Sequence, residues 1–394
     1  MIFQKEVGES LTYKFAQAAA DMRAHGREII SLGLGEPDFK TPQYVLDATS
    51  DAMNAGFTHY SATQGLPEFR ELIAGDMNTR FSAEYKAADI VVTPGIKPAV
   101  YFALCALLEP GDEVVLFSPY YVSYPAMVKL AEPQAKIVNV ALDRSFRLDP
   151  DALRKAVNPR TKCILFNNPN NPTGKVFNKE EIDLLVSLAL ENDAWIISDE
   201  VYEKLLYTGG TQIGLASYPQ IRHRLIVTNG FSKSHAMTGW RLGYAIGAHD
   251  AIVKINKLQQ HINTNTCTFV QKGACSIYTH KPDHIAPYVA ELERRIDFFH
   301  KELNDLPYMT AVKPEAGFFC FADISATGKD SNSFCADLLH ATGIASTPGI
   351  AFGPEWDSYV RFSFAVPMAT LERAAGLLKA YNPKAEACRI DSDV

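Results

Sequence analysis

The chain is poor in cysteine, with seven in 394 residues at Cys105, Cys163, Cys267, Cys275, Cys320, Cys335 and Cys388. The number is odd, no two form a Cys-x-x-Cys pair, and most lie inside apolar runs. Zinc ribbons, dithiol redox motifs and disulfide scaffolds are thereby disfavoured, and a reducing, cytoplasmic compartment fits. Long hydrophobic runs are also missing. The longest, Ala99 to Leu108, spans ten residues, against roughly twenty needed to cross a bilayer. The opening Met1 to Glu6 lacks the shape of a signal peptide. Positive charge is scarce, with 38 Lys and Arg against 45 Asp and Glu and a net charge of −7. Without a basic run, neither nucleic acid nor a membrane surface is an expected partner. No internal repeat or low-complexity tract is present.

What remains is a globular composition, 47% apolar and 21% charged, on a chain too long for one ordinary core. Two domains are expected. Between residues 88 and 250, short β-branched runs alternate with amphipathic stretches. Strands are predicted at 90–93, 113–117, 136–140, 162–167, 195–198, 224–228 and 242–247, and helices near 97–108, 122–130, 149–157, 179–191 and 249–260. That alternation predicts an α/β fold, a mostly parallel central sheet with helices on both faces. The last third reads differently: a long charged helix at 288–304, strands at 317–323 and 359–364, and a helix at 369–381. These suggest a smaller α+β domain, followed by a loose polar tail from Asn382 to Val394. Before the sheet, a helical pattern covers Ala16 to Ala24. The boundaries drawn are a large domain at 48–285, with 1–47 and 286–394 forming the N-terminal arm and small domain.

The segment from Asn229 to Arg241 carries the most chemical information. It sets Lys233 among small and polar neighbours, with Arg241 eight positions later. A lysine that must bond a carbonyl needs a partly desolvated pocket to lower its pKa from about 10.4. A fixed guanidinium suits a dianionic phosphate. Together they meet the demands of pyridoxal 5'-phosphate, although an isolated Ser-Lys is usually a surface lysine.

Ligands of open parallel sheets bind beyond the carboxyl ends of the strands. Five such ends carry polar, chemistry-capable residues. Gly95-Ile96-Lys97 follows 90–93 and opens a helix, where the Ile96 and Lys97 amides suit a phosphate, or else form an ordinary capped turn. Tyr120-Tyr121 follows 113–117, and Tyr121 offers a flat face to a ring, or simply packs. The run from Asn167 to Gly174 follows 162–167. Asp199 ends 195–198, either as a helix N-cap or as a buried carboxylate in need of a cation such as a protonated pyridine nitrogen. Lys233 follows 224–228. Tyr202 and Asn171 are placed to reach a phenolate oxygen from two sides. Arg361 can equally sit on a solvated strand face, since Val360, Phe362 and Phe364 alternate away from it. Gly33-Leu34-Gly35 lacks the third glycine of a dinucleotide site. His280 and His284 are interrupted by Pro282 and make a poor metal pair. His235 reads as structural at least as readily as a base.

These motifs resemble the class I/II aminotransferases of the fold-type I pyridoxal-phosphate enzymes, and most nearly the bacterial aspartate aminotransferase subgroup. The resemblance rests on the segments 32–39, 60–65, 95–97, 168–174, 198–202, Ser232-Lys233 with Arg241, and 360–363. It implies that Lys233 bonds the cofactor covalently, that Asp199 holds the pyridinium nitrogen, and that Asn171 and Tyr202 hold the phenolate oxygen. Arg241 and the Gly95–Lys97 turn would bind phosphate, Tyr60 would reach the phosphate of a partner subunit in a homodimer, and Tyr121 would stack on the ring. Arg361 would fork onto the substrate α-carboxylate near Gly35. The family's serine three residues before the lysine is Gly230 here, so one phosphate contact is expected to shift to Ser232.

For the substrate side chain, Lys97, Ser10 and Thr12 match the positions that receive a distal carboxylate in the aspartate subgroup. The expected activity is amino transfer between an L-amino acid and a 2-oxo acid, with oxaloacetate or 2-oxoglutarate as one partner. Aromatic or alanine aminotransferases, carbon–sulfur lyases, synthases and amino-acid oxidases share the cofactor motifs and stay open. An effector-binding module of a transcription regulator is disfavoured by the lack of a basic patch and of a preceding winged helix.

Overall fold

A computed structural model describes residues 7–207, 209, 212–280 and 284–383. Most of the polar tail, the Met1–Glu6 start and Pro282 lie outside these described residues. The chain opens with helix α1 (Leu11–Ala24), the short strand β1 (Ile30–Ser31), and helices α2 (Gln43–Asn54) and α3 (Pro67–Phe81). The alternating region follows as β2 (Ile90–Thr93), α4 (Ile96–Leu107), β3 (Glu113–Ser118), α5 (Tyr124–Ala131), β4 (Lys136–Ala141), α6 (Pro150–Ala156) and β5 (Thr161–Asn167). It continues through α7 (Lys179–Glu191), β6 (Trp195–Asp199), β7 (Leu225–Gly230), β8 (Gly243–Gly247) and α8 (His249–Ile262). Helices α9 (Thr268–Ala274), α10 (Ser276–Thr279) and α11 (Ile285–Asn304) lead to β9 (Thr310–Ala311), β10 (Phe319–Asp323) and α12 (Ser331–Thr342). The remaining elements are β11 (Ile344–Ala345), β12 (Thr347–Pro348), β13 (Tyr359–Ser363) and α13 (Met368–Ala380).

The central sheet has the order β2-β8-β7-β6-β5-β3-β4. Strand β8 runs antiparallel to both neighbours, and the other pairings are parallel. Successive residues feed opposite faces. Val114 and Leu116 join the core under α4 and α8, while Val115 and Phe117 join the larger core that includes Phe69, Ile73 and Met77 of α3. Both faces are therefore buried, which is why these strands read as nearly continuous apolar runs. The architecture is the α/β one expected, and no described helix is long and apolar enough to cross a membrane.

A second, antiparallel sheet has the order β12-β13-β10-β9 and packs with α11 and α13 through Leu292, Ile296, Phe299, Phe362, Leu371 and Leu378. The N-terminal segment is tied to it: β1 pairs in parallel with β11, and Ser363 N–H donates to Leu32 O at 2.6 Å. This core also takes in Val201, Tyr202 and Leu205, so the second unit is seated on the loop after β6. Element ends differ from expectation by at most three residues, except that the first helix starts at Leu11 rather than Ala16. Helix α5 starts at Tyr124 rather than 122, and β10 starts at Phe319 rather than 317.

Candidate active site

Six of the seven central strands share one direction, so their carboxyl ends form one rim. On that rim lies a cavity of about 540 Å³. Ser10, Thr12, Gly35, Ile96, Lys97, Tyr121, Asn171, Asp199, Tyr202, Ser232, Lys233, Arg241 and Arg361 all line it. They come from separate stretches of the chain between residues 10 and 361. Gly95 does not line it. Tyr60 does not line it and is 87% exposed.

Lys233 sits in the turn after β7, and its Nζ donates to Gly35 O at 2.5 Å. Walls close around the ammonium on most sides, and this burial pulls its pKa down to about 8. Glu36 opposes the shift, while the cations Arg361, Arg241 and Lys97 add to it. The lowered pKa favours the neutral form that a nucleophilic amine needs.

Asp199 ends β6 and is 6% exposed. Its Oδ2 accepts from the Tyr124 hydroxyl at 2.7 Å and its Oδ1 from Val201 N–H at 3.3 Å. Burial raises its pKa to about 6, held from rising further by those two bonds and by Lys233. Tyr202 is fully enclosed beside Asn171, and burial pushes its phenol well above the usual range.

Arg361, in the middle of β13, is 3% exposed, so the solvated-face alternative fails. The alternation is real, but both faces of β13 are covered. The guanidinium lies 4.1 Å from the Phe319 ring centre and 5.0 Å from that of Phe352. Nη1 donates to Asn171 Oδ1 at 3.1 Å and Nη2 to Gly33 O at 2.8 Å, while Nε is buried without a partner. Burial lowers its pKa to about 10.

Around Arg241 and the start of α4 the backbone is packed through glycines. Gly95 has φ +101°, and a Cβ there would meet Arg241 Nη2 at 2.5 Å. A Cβ on Gly243 would lie 2.7 Å from Gly95 C and 2.8 Å from Ile96 N. Only side-chain-free backbone lets β8 run this close to the start of α4. Arg241 itself adopts the left-handed conformation, φ 51°, and donates from Nη1 to Thr238 O at 2.8 Å. The missing serine has a local cause as well. A Cβ at Gly230 would meet Leu242 O at 2.8 Å and Gly243 Cα at 2.9 Å.

Lys97 Nζ lies 5.9 Å from the centre of the Tyr13 ring and 5.4 Å from that of Tyr121. Thr12 Oγ1 is buried with no hydrogen-bond partner, and the Ser10 side chain makes no cap to α1. His235 is a core residue: its Nδ1 pairs with Ser234 Oγ at 2.8 Å, and burial beside His284 lowers its pKa to about 2. Among the described residues no group of His, Cys, Asp and Glu could hold a metal. Sequence reasoning did not single out Tyr124, Glu36, Tyr13 or Phe319. Tyr124 meets Asp199 across 75 positions, and no local signal announces that contact.

The Aminotransferase class I and II family model matches residues 27–378. An aspartate aminotransferase of Geobacillus stearothermophilus is 36% identical over 371 residues, covering 93% of this chain and 94% of the relative. The structure of the Thermus thermophilus aspartate aminotransferase with maleate aligns with TM-score 0.90 at 33% identity, covering 96% of this chain and 98% of that one. An aromatic aminotransferase from Pyrococcus horikoshii OT3 aligns with TM-score 0.85 at 35% identity, covering 92% and 98%. Family model, relatives and fold agree: the chain belongs to the class I and II aminotransferases and is a pyridoxal-phosphate-dependent aminotransferase.

Proposed function

We propose that the protein is an aspartate-type aminotransferase, moving an amino group between an L-amino acid and a 2-oxo acid, with a dicarboxylic substrate on at least one side. The carrying observation is that one cavity collects Asp199, Lys233, Arg361 and Lys97.

The residues present suit pyridoxal 5'-phosphate. Asp199 is a buried carboxylate with two neutral donors and no cation in ion-pair distance among the described residues, a state that a pyridinium N–H would relieve. Asn171 and Tyr202 would hold the cofactor's phenolate oxygen, and Tyr121 offers a stacking face. The helix start at Ile96 and Lys97, with Ser232 and the Arg241 fork, suits a phosphate. When bound, the cofactor supplies an aldehyde and an electron-accepting ring. Lys233 Nζ would hold that aldehyde covalently and, when free, would serve as the general base at the substrate Cα. Arg361 fixes the α-carboxylate and, stacked on Phe319, cannot tilt away. Lys97, Ser10 and the unpartnered Thr12 hydroxyl receive the distal carboxylate.

The two cores support a division into a large domain at 48–285 and a small one built from 1–47 and 286–394. The exposure of Tyr60 supports a homodimer in which it reaches the partner's phosphate site. The deciding experiment pairs a panel of amino donors with 2-oxoglutarate, oxaloacetate and pyruvate. Aspartate and glutamate should show the highest kcat/KM, and Lys97→Ala should lower the dicarboxylate-to-alanine ratio. An unchanged ratio would remove Lys97 from the reading, and release of ammonia or sulfide without matching 2-oxo acid would replace transfer by another chemistry. Borohydride should fix the cofactor to the wild type and not to Lys233→Ala.

A further inference from the structure

A second cavity, of about 410 Å³, lies where the loop after the edge strand β4 meets the end of α11 and the second sheet. Among the described residues it shares no lining side chain with the first. The register of the second sheet sets Thr310, Asp323 and Tyr359 side by side on three neighbouring strands, and the loop after β4 brings Arg144 to them. The Arg144 guanidinium lies 5.1 Å from the centre of the Tyr359 ring and 5.8 Å from that of Trp356. Its Nη1 donates to Ser358 Oγ at 3.2 Å. These contacts hold the cation in place before any ligand arrives. The carboxylate beside it is paired loosely. Arg144 Nη1 and Asp323 Oδ2 are 3.7 Å apart, beyond hydrogen-bond length, while Asp323 Oδ1 accepts from Ser325 N–H at 2.7 Å. The rest of the wall is largely apolar, with Phe146, Leu306, Met309 and Phe321, and with Val312 standing 39% exposed.

Small-molecule sites are concavities of roughly 300–1,000 Å³ between packed layers, apolar with a few placed polar groups, and this cavity meets each of those terms. The charges decide the class of ligand. An anion paired with Arg144 would press on Asp323, and a cation paired with Asp323 would press on Arg144. A neutral apolar ligand would desolvate both groups and partner neither. A ligand with both charges close together satisfies both: its carboxylate takes charge-assisted hydrogen bonds from Arg144 and its ammonium gives them to Asp323. An α-amino acid has that arrangement, and its side chain is left to the apolar wall. We propose that this cavity is a second, non-catalytic binding site, for an α-amino acid in zwitterionic form with an aliphatic side chain. The occupant bridges the loop after β4 and the second sheet, since both supply the wall.

The probe is L-leucine, titrated calorimetrically into holoenzyme whose cofactor has been fixed to Lys233 with borohydride, so that no amino acid displaces it. The wild type should bind leucine. 4-Methylpentanoate, which lacks the ammonium, and 3-methylbutylamine, which lacks the carboxylate, should each bind at least about tenfold more weakly. Arg144→Gln and Asp323→Asn should weaken leucine by a similar factor. The same variants, unreduced, should keep the wild-type rate of amino transfer, because neither side chain lines the catalytic cavity. Absence of leucine binding overturns the proposal, and so does equal affinity for 4-methylpentanoate. Binding that survives Arg144→Gln and Asp323→Asn but falls in Arg361→Lys belongs to the catalytic cavity and overturns it too. Should either substitution disturb folding, the three ligands compared on the wild type still decide.

Discussion

The Tyr124 hydroxyl donates to Asp199 Oδ2 at 2.7 Å, and both residues are buried. The bond stabilises the ionised carboxylate, which burial alone would push toward the neutral acid. Helix α5 therefore contributes a residue that lines the cavity and also braces Asp199.

Removing that hydroxyl gives the first prediction. In Tyr124→Phe the carboxylate of Asp199 loses a donor, so its pKa rises from about 6. The ionised fraction needed to face a pyridinium then falls as the pH is lowered. Apoenzyme affinity for pyridoxal phosphate should drop about tenfold at pH 6, and by less at pH 8. A loss of equal size at both pH values would mean that Tyr124 acts through packing alone.

The buried amine of Lys233 leads to a stability prediction. Its folded pKa, about 8, lies below the ordinary 10.5. Between these values the unfolded chain binds more protons, so stability rises with pH across that window. Below about 8 the cost of the buried charge is present in full. Apoprotein carrying Lys233→Met should thus melt above wild-type apoprotein at pH 7, by roughly 2–4 °C, and the gap should narrow by pH 10. Differential scanning calorimetry at the two pH values checks both the sign and the trend.

Restoring the family's serine should harm this chain. The Cβ of Gly230→Ser would press on the backbone at Leu242 O and Gly243 Cα, and on Ile96 Cγ1 at 3.2 Å. Backbone cannot rotate aside as a side chain can. We expect a loss of about 1–3 kcal/mol in denaturant unfolding and no gain in cofactor affinity. A stable variant with tighter cofactor binding would show that β7 and β8 can separate at no cost.

The strands were legible because a sheet covered on both faces writes itself as apolar runs, and the rim was legible because each run ends in polar residues. Helices packed on small residues were not. Val45, Thr49 and Ala52 form the buried side of α2, too weakly apolar to signal a core face. That helix meets α9 so closely that a Cβ on Gly273 would lie 1.8 Å from Thr49 Oγ1. Close approach of this kind depends on what is missing from both helices, so hydrophobic periodicity cannot report it. Arg361 was placed by resemblance rather than by pattern. Its strand alternates as a half-exposed one would, and only the stacking of Phe319 and Phe352 reveals that the polar side faces a cavity. The contact of Tyr13 with Lys97 joins residues 84 positions apart (97 − 13 = 84), beyond the reach of any local reading.

Arg361 and Lys97 should separate cleanly in kinetics. Arg361 is locked by Asn171, Gly33 and two phenylalanine rings, and its fork suits the α-carboxylate common to all amino acids. Lysine in its place keeps a positive charge but presents one point where two parallel bonds are required. Arg361→Lys should therefore raise KM about a hundredfold, the weight of two charge-assisted bonds, for aspartate and alanine alike. The aspartate-to-alanine ratio of kcat/KM should stay at its wild-type value, whereas Lys97→Ala should move that ratio. If Arg361→Lys lowered aspartate efficiency alone, the guanidinium would be reading the side chain, and the α-carboxylate would have to bind elsewhere in the cavity.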